Sequence, residues 1–107
     1  MCNNRAEPQQ RLKKMIIIEI FYSKNCPYCP AAKRMVYEVV DSLKENVIIN
    51  EIDVETRTEQ ERAQLYHLQG VPTIAINGTV VFVGLPPSKR AIASAIRRFT
   101  DGEPIFV

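Results

Sequence analysis

The chain has 107 residues, 46% of them hydrophobic, enough for one domain with a single core and no need of disulfide staples. Its net charge of +2 is unevenly placed: Arg5, Arg11, Lys13 and Lys14 against Glu7 give residues 1–14 a charge of +3 and leave −1 for the rest, and no interleaved aromatics accompany the basic arm, so nucleic-acid binding is not expected. Three cysteines, two of them separated by only two residues, do not make a secreted disulfide framework, and no stretch suits a signal peptide or a membrane span, so a soluble protein of a reducing, cytoplasmic compartment is expected.

Residues 1–14 have almost no apolar content and are expected to form a flexible arm, with Met15 an alternative start and Cys2 an incidental exposed thiol. From Met15 to Tyr22 runs a near-continuous, β-rich apolar stretch, the pattern of a central strand covered on both faces. After Cys29, apolar residues recur at Ala32, Met35, Val36, Val39, Val40 and Leu43, while Lys33, Arg34, Glu38 and Asp41 fall opposite, which predicts an amphipathic helix of about 15 residues. Val47–Asp53 is a second strand, so residues 15–53 read as a βαβ unit.

A Thr-x-x-Glu capping box at Thr58–Glu61 opens a short helix to about Tyr66. His67, at its end, reads as a surface or capping residue. Strands at Thr73–Asn77 and Thr79–Val83 are joined through Asn77-Gly78, a signal for a tight hairpin with positive φ at both turn positions. Ser88 can cap a last helix whose stripe is Ala91 or Ile92, Ala95 or Ile96, and Phe99, with Lys89, Arg90, Arg97 and Arg98 outward, and residues 100–107 form a C-terminal tail. The order βαβ, α, ββα with a right-handed crossover predicts an α/β domain over 15–99: a four-stranded mixed sheet of order 2-1-3-4 with three helices on both faces.

The chemistry points to Cys26-Pro27-Tyr28-Cys29, at the turn from the first strand into the first helix. A thiol attacks as its thiolate, and an unperturbed cysteine, pKa ~8.5, is only about 3% ionised at pH 7. Pro27 suits the first position of a helix, which would put Cys26 at the positive end of the helix dipole, with Lys24 adding a cation. A pKa near ~6.5 would need about 2.7 kcal/mol of differential stabilisation, within reach of those effects. A C-x-x-C is also half of a zinc site, but only His67 and remote Cys2 remain as soft ligands, so no metal is expected.

A C-x-x-C opening the first helix, with Gly70-Val71-Pro72-Thr73 before the third strand, resembles the thioredoxin superfamily. The longer runs Cys26–Arg34, Ile76-Asn77-Gly78 and Phe82-Val83-Gly84 with Pro86 are most similar to the compact, glutaredoxin-sized archaeal thioredoxins. The resemblance implies a minimal thioredoxin-like fold with Pro72 in the cis form. It implies a thiol–disulfide oxidoreductase in which Cys26 attacks and Cys29 resolves, Pro27 and Tyr28 shape the site, Val71 and Pro72 dock an extended substrate segment, and Lys24 supports the thiolate. No cofactor is expected. The partners implied are disulfide-containing proteins and a thioredoxin-reductase-type flavoprotein as electron donor, with the protein itself a monomer.

The pair Pro27-Tyr28 with Ala32-Lys33 is similar to glutaredoxins, so a glutathione-dependent glutaredoxin is the first alternative. Against it, Gly84-Leu85-Pro86-Pro87-Ser88 offers one glycine and no acid where glutaredoxins carry Gly-Gly and an aspartate. A metal or iron–sulfur binder and a non-catalytic binding module are the further alternatives; both cysteines being present argues against the last. Thioredoxins usually carry a buried acid six residues before the first cysteine, a position held here by Ile20. Adjacent Glu19 should point to the opposite face and reads as a solvated or strand-end residue.

Overall fold

Ile, Phe and Tyr favour a pleated, buried surface, and Ile16–Tyr22 forms the central strand β1 of the computed structural model, which describes residues 15–43, 46–56, 60, 64 and 70–100. The helix α1, Cys29–Ser42, carries the chain back across the sheet, so β2, Val47–Asp53, pairs parallel to β1 from Ile16 opposite Val47 to Tyr22 opposite Asp53. On the other side of β1, β3 (Thr73–Ile76) pairs antiparallel, Phe21 lying opposite Thr73 and Ile18 opposite Ile76. The strand β4, Thr79–Val83, pairs antiparallel to β3, and the order is β2-β1-β3-β4, as the topology argument expects.

The β3–β4 turn has Asn77 at φ 49° and Gly78 at φ 85°, the left-handed pair that lets a two-residue loop match the twist of the strands. Asn77 also extends the β1 ladder: its amide donates to the Ile17 carbonyl at 2.8 Å and its Oδ1 accepts the Ile17 N–H at 2.9 Å. The last helix, α2 (Lys89–Thr100), opens on Ser88, whose Oγ accepts the Ala91 N–H at 3.0 Å and so satisfies one of the orphan amides of the first turn.

Alternation along β1 sends Ile16, Ile18 and Ile20 to one face, where they meet Ile74 and Ile76 of β3, Val36 and Val39 of α1, and Ile92, Ala95 and Ile96 of α2. Each isoleucine removed from water there is worth about 1.5–3 kcal/mol. The opposite face holds a smaller cluster of Phe21, Ile52 and Ala75, with Val54, Val71 and Val80 at its margin. Among the described residues there are two helices, and both pack on the first face. The helix expected over 58–66 lies outside the described residues apart from Gln60 and Gln64, both of helical backbone.

The expectation for Glu19 is corrected. Glu19 is neither solvated nor at a strand end: it is 4% exposed, the fourth of seven residues in the central strand, flanked by Asn50 of β2 and Ala75 of β3. Its place in the middle of β1, with Asn50 and Ala75 beside it, goes with its burial, whereas Ile17 on the same face nearer the start of the strand is 40% exposed. Glu19 does face away from α1, as the alternation requires.

Candidate active site

The chain leaves β1 at Tyr22 and turns through Ser23, Lys24 and Asn25, with the Cys26 N–H donating to the Ser23 carbonyl at 3.3 Å. Cys26 to Cys29 then make a second, loose turn, the Cys29 N–H lying 3.4 Å from the Cys26 carbonyl. The helix begins at Cys29, with Tyr28 as its N-cap, and not at Pro27 as the first proline of the motif suggests. Pro30 is the reason: a proline is tolerated in the first turn, where its missing N–H has no intrahelical partner to lose, and Pro30 fills that place. Cys29 thus opens the helix, while Cys26 stands one turn ahead of it.

The two cysteines form a disulfide with Cα atoms 5.4 Å apart. Their access differs: Cys26 is 9% exposed and Cys29 only 2%. Tyr28 between them projects into solvent, 60% exposed, and Pro27 is exposed too. Lys24 is an exposed residue of the preceding turn.

The Val71–Pro72 segment reaches the same end of the sheet, because Thr73, the first residue of β3, pairs with Phe21, the last but one of β1. The Val71–Pro72 peptide bond is cis. Pro72 is buried, and its carbonyl accepts the Gly84 N–H at 2.7 Å. Gly84 holds φ at +91°, a left-handed conformation that any Cβ would strain. Thr73, also buried, donates its hydroxyl to the Gly70 carbonyl at 2.6 Å. Val71 is half-buried against Phe21, Ile52 and Ala75. The fold therefore gathers Cys26, Pro27, Tyr28, Cys29, Val71 and Pro72 at one end of the sheet, with Lys24 in the turn that leads into them.

Sequence reasoning misses the polar cluster on the α1–β2 side. Lys33 sits over the Tyr22 ring, its Nζ 3.5 Å from the centroid, and pairs with Glu51 Oε1 at 3.1 Å. The Tyr37 hydroxyl donates to Glu51 Oε2 at 2.6 Å. That hydrogen bond is the main cause holding the Glu51 carboxyl below its usual range, with Lys33 adding to it. The same bond, then burial and the negative charge, pushes the Tyr37 phenol up to about 12. Lys33 and Tyr37 are legible as one helix face, but only the register of β2 brings Glu51 to them. Cys2 and His67 lie outside the described residues, and within those residues no three His, Cys, Asp or Glu side chains gather as a metal site would need.

A disulfide that closes the turn into a helix can take up two electrons and two protons and give them back to another disulfide. Comparison with known proteins agrees with that chemistry. The model of the thioredoxin domain family matches residues 16–97. A thioredoxin of Methanocaldococcus jannaschii is 43% identical over 81 residues, 76% of this chain and 92% of the relative, and a probable thioredoxin of Methanothermobacter thermautotrophicus is 40% identical over 82 residues, 77% and 93% of the two chains. Among solved structures, a single-site mutant of a thioredoxin from Halobacterium salinarum superposes with a TM-score of 0.65 at 25% identity, over 87% of this chain and 86% of that one. With the family matched across most of its length and a cysteine pair placed for exchange, the chain belongs to the thioredoxin domain family and is a thiol–disulfide oxidoreductase.

Proposed function

We propose that the protein is a thioredoxin-like reductase of protein disulfides, with Cys26 attacking and Cys29 resolving. The observation that carries this reading is the unequal exposure of the two cysteines, 9% for Cys26 in the turn before the helix and 2% for Cys29 in its first turn. In the reduced protein the Cys26 thiolate attacks one sulfur of the substrate disulfide; that bond breaks, and the departing substrate sulfur takes a proton. Cys29, deprotonated in turn, attacks Cys26 Sγ, closes the Cys26–Cys29 disulfide and releases the second substrate thiol. The substrate gains two electrons and two protons, and the protein is left oxidised.

On this reading Val71 and Pro72 present an edge along which an extended substrate segment lies, and the Pro72–Gly84 hydrogen bond fixes that edge. Exposed Tyr28 and Pro27 shape the rim, and Lys24 favours the thiolate by its charge. The relatives named thioredoxin and the single glycine of the Gly84–Ser88 loop support a thioredoxin-reductase-type flavoprotein as donor over glutathione. Cys26→Ser is expected to abolish insulin disulfide reduction, and full activity in that variant would overturn the assignment. Reduction of the oxidised protein by glutathione alone, at a rate matching the flavoprotein, would instead make it a glutaredoxin.

A further inference from the structure

Cys29, Lys33 and Tyr37 stand four residues apart on α1, so they share one stripe of the helix, and each side chain leans back over the turn before its own. Lys33 therefore lies over the turn that holds Cys29. It is also held in place: its Nζ sits 3.5 Å from the centre of the Tyr22 ring and 3.1 Å from Glu51 Oε1, and its side chain is 25% exposed. Tyr22 is the residue at which β1 ends and the chain turns towards Cys26. Because Glu51 accepts the Tyr37 hydroxyl as well, its carboxylate lies alongside the stretch from Lys33 to Tyr37, and the positive end of the ion pair is the end towards the cysteines. The other charged groups around this stripe, among the described residues, are placed differently. Lys24 is exposed in the preceding turn, Asp53 Oδ1 accepts the Glu55 N–H, Glu38 takes the Lys89 ammonium with Arg34 acting on it too, and Glu19 faces away from α1.

We propose that Lys33 serves the resolving step of the exchange: its charge, held one helical turn from Cys29, stabilises the thiolate that Cys29 must become. This rests on the reading in which Cys29 resolves. In that step the Cys29 thiol gives its proton to solvent and its sulfur attacks Cys26 Sγ; the bond from Cys26 to the substrate sulfur breaks, and that sulfur leaves as a thiolate and is protonated by solvent. The surroundings of Cys29 call for such help. Cys29 is 2% exposed, and burial disfavours the charged form of a thiol. On the α1 face β1 presents Ile16, Ile18, Ile20 and Tyr22, so this strand offers no carboxylate to take the proton. A cation lowers the cost of the thiolate by its field, and one only partly exposed is screened less than one in open water. Lys24 precedes Cys26 in the chain, whereas Lys33 is placed for the second sulfur.

The Cys29 thiol is titrated by itself in the full-length Cys26→Ser protein, from the pH dependence of iodoacetamide alkylation read on the Cys29 peptide by mass spectrometry. Adding Lys33→Gln is expected to raise the midpoint by about 0.5–1 pH unit, which is about a three- to tenfold fall in thiolate at neutral pH, and Lys33→Arg to leave it in place. With both cysteines present, Lys33→Gln is expected to slow resolution of the mixed disulfide by the same factor at pH 7, and the deficit should narrow as pH rises. A deficit equal at every pH would mark a merely structural effect and overturn the proposal. A midpoint unmoved by Lys33→Gln, with Cys26→Ser inactive in insulin reduction, would overturn the role of Lys33 and leave those of the two sulfurs standing. Full activity of Cys26→Ser would overturn both.

Discussion

For single residues, the unequal exposure of the two cysteines goes with where the helix starts. Pro30 moves that start to Cys29, so Cys29 lies in the first helical turn, 2% exposed, and Cys26 in the turn before it, 9% exposed. The Tyr37–Glu51–Lys33 cluster is a second local feature, and its pH behaviour has a definite sign. A carboxyl held below 4.5 in the folded state contributes stability above the unfolded value and loses it as pH falls through the lowered one. A phenol raised from 10.0 to about 12 contributes below pH 10 and loses its contribution as pH climbs towards 12. Tyr37→Phe is therefore expected to cost about 0.5 kcal/mol at neutral pH, the low end for a hydrogen bond because the site is largely open to water. The difference from wild type should shrink below pH 4.5 and above pH 10, as read by urea titration across pH.

Among the elements, caps and turns place the walls of the site. Ser88→Ala removes the oxygen that receives the Ala91 amide and is expected to cost about 1 kcal/mol in urea unfolding, with Ser88→Gly costing less. Gly84→Ala forces a Cβ into a left-handed backbone at the residue that anchors Pro72; a loss of about 1–2 kcal/mol is expected, together with a raised KM for protein disulfides and little change in kcat. Most of these elements are legible from the residues, because apolar alternation, helical periodicity and Asn-Gly turn chemistry are local signals. β2 and β4 have the expected bounds, and α2 buries Ile92, Ala95 and Ile96 of its expected stripe. Pairing is not legible at this level. Glu19 is misread because its burial depends on two neighbouring strands that its own sequence surroundings do not show, and Glu51 is missed because it meets Lys33 only through the β1–β2 register.

Across the whole molecule, the large core lies along one face of the sheet and the chemistry at one end of it. The isoleucines of β1, β3 and α2 hold the layers together, while the dithiol and the Val71–Pro72 segment share one end of the sheet. Stability and exchange should therefore respond separately. Ile96→Ala, deep between α2 and the sheet, is expected to cost about 2–5 kcal/mol in urea unfolding while leaving kcat/KM for insulin within about twofold where the variant is folded. The roles of the two sulfurs, Cys26 attacking and Cys29 resolving, are tested most directly by mixing reduced Cys29→Ser with a protein disulfide, quenching with acid, and mapping the adduct by peptide mass spectrometry. A stable mixed disulfide on Cys26 is expected, absent from wild type and from Cys26→Ser; an adduct carried instead by Cys29 in the Cys26→Ser variant, with none on Cys26, would contradict those roles.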